Sequence, residues 1–137
     1  MARSDGLDRN ALVADIGRRL VADPAVSDGA WAGYALIVRY GQGAIARRVA
    51  GFRYDADGVA TAATPHDSGI GEAFDALREA TRLPGKEPWQ ACVLRILRAD
   101  GHVGLEFEYE VPERWDITPD SMAEVVARAR PGQHDSA

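Results

Sequence analysis

The stretch Pro88–Tyr109, PWQACVLRILRADGHVGLEFEY, decides the fold. Its second arm alternates without a break. Val103, Leu105, Phe107 and Tyr109 fall on one side; Gly104, Glu106, Glu108 and Glu110 fall on the other. A strand sends successive side chains to opposite faces, so the pattern predicts an apolar core face backed by an acidic solvent face. The first arm, Trp89–Arg98, is rich in apolar residues, with Cys92 on the side of Leu94 and Ile96. Between the arms, Ala99-Asp100-Gly101-His102 supplies Asp-Gly, the dipeptide that tolerates the positive φ angles of a two-residue hairpin turn.

Outward from this hairpin the chain alternates between two periods. Before it, Ile70, Phe74, Leu77 and Thr81 make a helical stripe. Asp67 or Ser68 is placed to cap that helix near Gly69, and Leu83-Pro84-Gly85 stops it. Further upstream, Trp31–Tyr40 and Ala44–Tyr54 read as strands joined at Gly41-Gln42-Gly43. Asp55-Ala56-Asp57-Gly58 is a second hairpin-type turn, leading into a short strand over Val59–Thr64. At the start, Leu12, Val13, Ile16 and Leu20 recur at helical spacing from Leu7 to Ala22, and Asp23-Pro24 ends the run. Gly17 inside it costs up to about 1 kcal/mol relative to alanine, which packing must offset. After Tyr109 comes an irregular link, Glu110–Asp116. Thr118 then caps a last helix, with Pro119 at its first position and Met122, Val125, Val126 and Ala129 on its apolar side.

The resulting order is α-β-β-(β)-α-β-β-α. Hairpin-linked strands imply antiparallel pairing, so the expectation is an α+β fold. It has four to five strands, with helices packed mainly on one face. At 137 residues the chain fits one domain, residues 1–137, with a core from about 7 to 131 and mobile ends.

Composition narrows the function. The net charge of −5 sets the surface against nucleic-acid phosphate, so no direct nucleic-acid partner is expected. A basic protein, in contrast, would be drawn to it. The opening MARSDGLDRN has no apolar core of a signal peptide, and no apolar run approaches the roughly 20 residues of a membrane span. The single cysteine, Cys92, forms no internal disulfide, which suits a reducing cytoplasm.

Catalytic and metal signatures are missing. His66, His102 and His134 are scattered, with no partner at metal-ligand spacing, and read as exposed loop residues. Cys92 reads as a buried, inert thiol. Gly41-Gln42-Gly43 and Gly69-Ile70-Gly71 match neither dinucleotide nor P-loop patterns. Glu106 and Glu108 would stand about 6–7 Å apart along a strand, but their exposed alternation offers no cleft for glycoside chemistry. Arg39, Arg47, Arg48 and Arg53 make a basic strand pair whose ordinary use is pairing with acids of the same sheet. No enzyme, no cofactor and no metal is therefore expected.

The acidic segment carries more information. From Asp100 to Glu124 there are eight carboxylates against one arginine, Arg114. Tyr109, Pro112 and Trp115 lie among them, and aromatics beside carboxylates are a common interface composition. The expected docking set is Glu106, Glu108, Glu110, Glu113 and Asp116 with Tyr109 and Trp115.

The block Pro88-Trp89, the apolar strand, Asp100-Gly101, Leu105–Glu110 and Arg114-Trp115 resembles the YezG-like immunity proteins. The helix Leu7–Ala22, the strand pair Trp31–Tyr54 and the helix Ile70–Arg82 occupy similar places. Membership would imply a cytoplasmic antitoxin that blocks a cognate bacterial toxin domain, often a nuclease and hence basic, by stoichiometric binding. The alternatives are an acidic secretion chaperone for an exported effector and, more distantly, a small enzyme.

Overall fold

A computed structural model describes residues 5–27, 29–42, 45–99 and 101–131. The expected mobile ends, the central Gly43-Ala44 turn, Asp100 and His134 lie wholly or partly outside these residues. The elements are α1 (Asp5–Ala22), α2 (Pro24–Ser27), β1 (Gly33–Gln42), β2 (Ile45–Tyr54), β3 (Ala60–Ala62), α3 (Ile70–Ala80), β4 (Ala91–Leu97), β5 (Val103–Glu108), a 3-10 turn (Pro112–Trp115) and α4 (Met122–Ala129). The strands form one antiparallel sheet in the order β3-β2-β1-β4-β5. The fold is α+β, and the short strand expected within Val59–Thr64 is present.

The central hairpin pairs Cys92 with Phe107, Leu94 with Leu105 and Ile96 with Val103. Its turn is longer than the two residues expected. The Leu97 N–H donates to the His102 carbonyl and the Gly101 N–H to the Leu97 carbonyl, so the last ladder bond falls at Leu97 and His102. Gly101 has φ +69°, the positive angle that the Asp-Gly dipeptide was expected to supply.

Three of the four helices, α1, α2 and α3, pack on one face, as expected, and the opposite face carries a second core that the pattern did not announce. On the first face, Tyr34, Leu36, Val38 and Tyr40 of β1 and Cys92, Leu94 and Ile96 of β4 pack under Ile16, Leu20, Phe74 and Leu77 of α1 and α3. On the second, Ala35, Ile37, Ala91 and Val93 pack under Trp115, Val125 and Ala129. The reason lies in the central strands. β1 and β4 are apolar at nearly every position, and such strands need cover on both sides.

Trp89 fixes the first core. It is fully buried, stacks on Phe107 at 5.1 Å between ring centroids and meets Tyr40 edge-on at 5.6 Å. Its indole N–H donates to Thr81 Oγ1 at 2.8 Å, satisfying the one polar atom of the ring. Gly17 is explained by the same core. A Cβ there would stand 3.3 Å from Val103 Cγ2, so the glycine lets α1 lie close to β5.

α3 starts at Gly69-Ile70 as expected but without its side-chain cap, and α4 starts later than expected. Asp67 accepts from the Gly69 N–H at 2.9 Å, but α3 has no side-chain cap of its own first turn. Thr118 Oγ1 accepts from the Ser121 N–H as a cap would, yet α4 begins at Met122. Thr118–Ser121 forms a separate turn, in which the Ser121 hydroxyl donates to the Asp116 carbonyl at 2.8 Å.

Candidate functional site

The acidic segment does not behave as one surface. β5 is an edge strand, and Glu106 and Glu108 occupy the face that looks toward α4 and the 3-10 turn rather than open solvent. Glu106 pairs with Arg95 at 2.9 Å. Arg95 in turn donates to the carbonyls of Arg128 and Ala129, both at 2.9 Å. A cation on the last carbonyls of a helix satisfies orphan acceptors and complements the helix dipole. Glu106 therefore belongs to the device that seats the C-terminal end of α4.

Glu108 is likewise turned inward. One carboxylate oxygen lies 3.6 Å from Arg114, and the other accepts from the Val111 N–H at 3.1 Å, shaping the chain as it leaves β5. Asp116 pairs with Arg39 at 2.5 Å, tying the 3-10 turn to the middle of the sheet. Trp115 is 1% exposed and sits in the second core. Its ring lies within cation–π reach of the Arg95, Arg114 and Arg128 guanidinium groups, at 5.9, 5.7 and 5.6 Å. The expectation that Trp115 is a surface aromatic is thus corrected: a second apolar sheet face required a cover, and Trp115 supplies it.

What remains accessible is narrower. Tyr109 is 48% exposed and Val111 53%, and Glu110 and Glu113 are exposed beside them. These residues form an exposed bend that follows β5 and leads to the 3-10 turn and the buried Trp115.

Cys92, His66 and His102 fall where the sequence put them. Cys92 is fully buried, and burial pushes its thiol above the ordinary range, away from the reactive thiolate. His66 and His102 are exposed in loops. Among the described residues no group of three or more His, Cys, Asp or Glu side chains is arranged to hold a metal ion. No helix of the described residues is long and apolar enough to cross a membrane.

The basic strand pair finds its acids on helices and turns rather than on the acidic strand. Arg39 reaches Asp116 and Arg47 reaches Asp75 of α3 at 2.9 Å. Sequence reasoning passed over Arg95, whose role was signalled only by an arginine in an otherwise apolar strand. It also passed over the cross-strand register that sets Arg39 directly opposite Arg48.

No protein-family model matches the chain, and no curated protein matches it.

Proposed function

We propose that this chain is a protein-binding module of the immunity type, acting in the cytoplasm. In this reading it holds a cognate toxin domain in an inactive complex and performs no covalent chemistry. The observation that carries the reading is the exposed bend Tyr109–Glu113. It offers an aromatic ring, an apolar side chain and the two carboxylates of Glu110 and Glu113 that no ion pair occupies among the described residues. Aromatic anchors with a charged rim are what protein interfaces are built from. The neighbouring edge of β5 supports the same reading, since β5 ends the sheet and can accept a strand from a partner. A nuclease must be positive where it meets phosphate, so carboxylates there suit the masking of such a surface.

The test is co-expression. The C-terminal domain encoded by the gene immediately upstream is expressed with and without this chain. Rescue of growth by the wild type, and its loss in a Glu110→Lys, Glu113→Lys variant that remains folded, is the expected result. Toxicity unaffected by the wild-type chain would refute the reading.

A further inference from the structure

On the second sheet face, a cleft of about 460 Å³ opens between β1, β2 and the segment after the 3-10 turn. Its size falls within the range of small-ligand sites. Arg39 and Arg48 line it and stand directly opposite each other across the β1–β2 ladder. Like charges in directly opposed positions repel. Asp116 answers Arg39, and no ion pair joins Arg48 to a carboxylate among the described residues. The two guanidinium groups and Asp116 thus leave one net positive charge at the cleft.

Arg39 is unusual for a second reason. It is only 8% exposed, yet its donors are incompletely used. Nε donates to Asp116 and Nη1 to the Tyr40 carbonyl, while Nη2 has no acceptor among the described residues. Buried donors are ordinarily satisfied, and a guanidinium presents its nitrogens as a planar fork suited to a carboxylate. The remaining walls include Ile37, Ala50 and Ile117, which are apolar, and Thr118.

We infer that this cleft binds a small organic monocarboxylate, its carboxylate held between Arg39 and Arg48 and its apolar body against Ile37, Ala50 and Ile117. One net positive charge matches one carboxylate, and the apolar walls reward a hydrocarbon body that inorganic anions lack. None of the residues Tyr109–Glu113 lines the site, which does not depend on the immunity reading.

Phenylacetate is the probe, titrated into the full chain by calorimetry and by amide chemical-shift changes. Saturable binding with shifts at Ile37, Ala50 and Ile117 is expected. Arg48→Gln, at an exposed position, should weaken binding about tenfold or more while leaving the melting temperature near that of the wild type, because it removes one charge-assisted contact. Ala50→Leu should fill the cleft and abolish binding. The neutral analogue 2-phenylethanol and inorganic phosphate should each bind at least about tenfold more weakly than phenylacetate. The inference is overturned if phenylacetate does not bind, if Arg48→Gln binds it as well as the wild type, or if 2-phenylethanol or phosphate matches it.

Discussion

Trp115, Glu106 and Asp116 show how one composition serves two different tasks. An aromatic among carboxylates is what an interface displays, and it is also what the rim of a second core displays when arginines reach it from neighbouring strands. The distinction rests on Arg95, eleven residues from Glu106 in sequence, and on Arg39, 77 residues from Asp116. Local alternation carries neither separation, so the acidic face was legible and its partners were not. Trp115→Ala should accordingly destabilise the fold by about 3–5 kcal/mol, read by denaturant unfolding, as expected for a buried tryptophan. Glu106→Gln should cost about 1–3 kcal/mol, because it weakens the hold on Arg95 at the end of α4. Asp67 gives a pH dependence of known sign. Its hydrogen bond with Arg19, and then the Gly69 N–H, hold its carboxyl below the ordinary carboxylate range. A depressed pKa contributes stability that is present above the unfolded value of about 3.9 and is lost as pH falls through the folded one. Melting curves of wild type and Asp67→Asn should therefore differ at neutral pH and converge in acid.

The elements were readable because their periods are clean, and their ends were less so. Alternation placed β1, β2, β4 and β5 within two or three residues, and the helical stripes of α1 and α3 carry their expected side chains into the core except Thr81, which caps the end of α3. The start of α4 moved from Thr118 to Met122, since the hydroxyls of Thr118 and Ser121 satisfy a local turn before helical bonding begins. Gly51 shows a constraint that no pattern displays. The Tyr34 hydroxyl donates to the Ala63 carbonyl at 2.7 Å beside it, and a Cβ at Gly51 would lie 2.0 Å from the Tyr34 hydroxyl oxygen and 2.5 Å from the Ala63 carbonyl oxygen. Gly51→Ala must displace the tyrosine or part β2 from the chain after β3. The expected loss is at least about 1–3 kcal/mol in unfolding free energy, as for other overpacked sites. Tyr34→Phe, which keeps the ring and leaves the Ala63 carbonyl unpaired, should lose about 1–3 kcal/mol.

At the scale of the whole molecule, one sheet with a core on each face leaves little of the chain free for a partner. α1 and α3 take the first face; Trp115 and α4 take the second. The α+β class and the element order followed from periodicity, whereas the second core did not. Its cover is one short helix and a 3-10 turn, neither of which announces which way it folds back. That cover also divides the acidic segment. Glu106, Glu108 and Asp116 hold the molecule together, and Glu110 and Glu113 stand outside with Tyr109 and Val111. The reading as a binding module depends on this division. Its most direct test is calorimetric titration of the upstream-encoded domain into the wild type and into the Glu110→Lys, Glu113→Lys variant, with unfolding of each chain measured alongside. A complex with the wild type, at least about tenfold weaker binding by the double variant, and an unfolding midpoint close to wild type are expected. Equal affinity in a folded double variant, or no complex with the wild type, would contradict that reading.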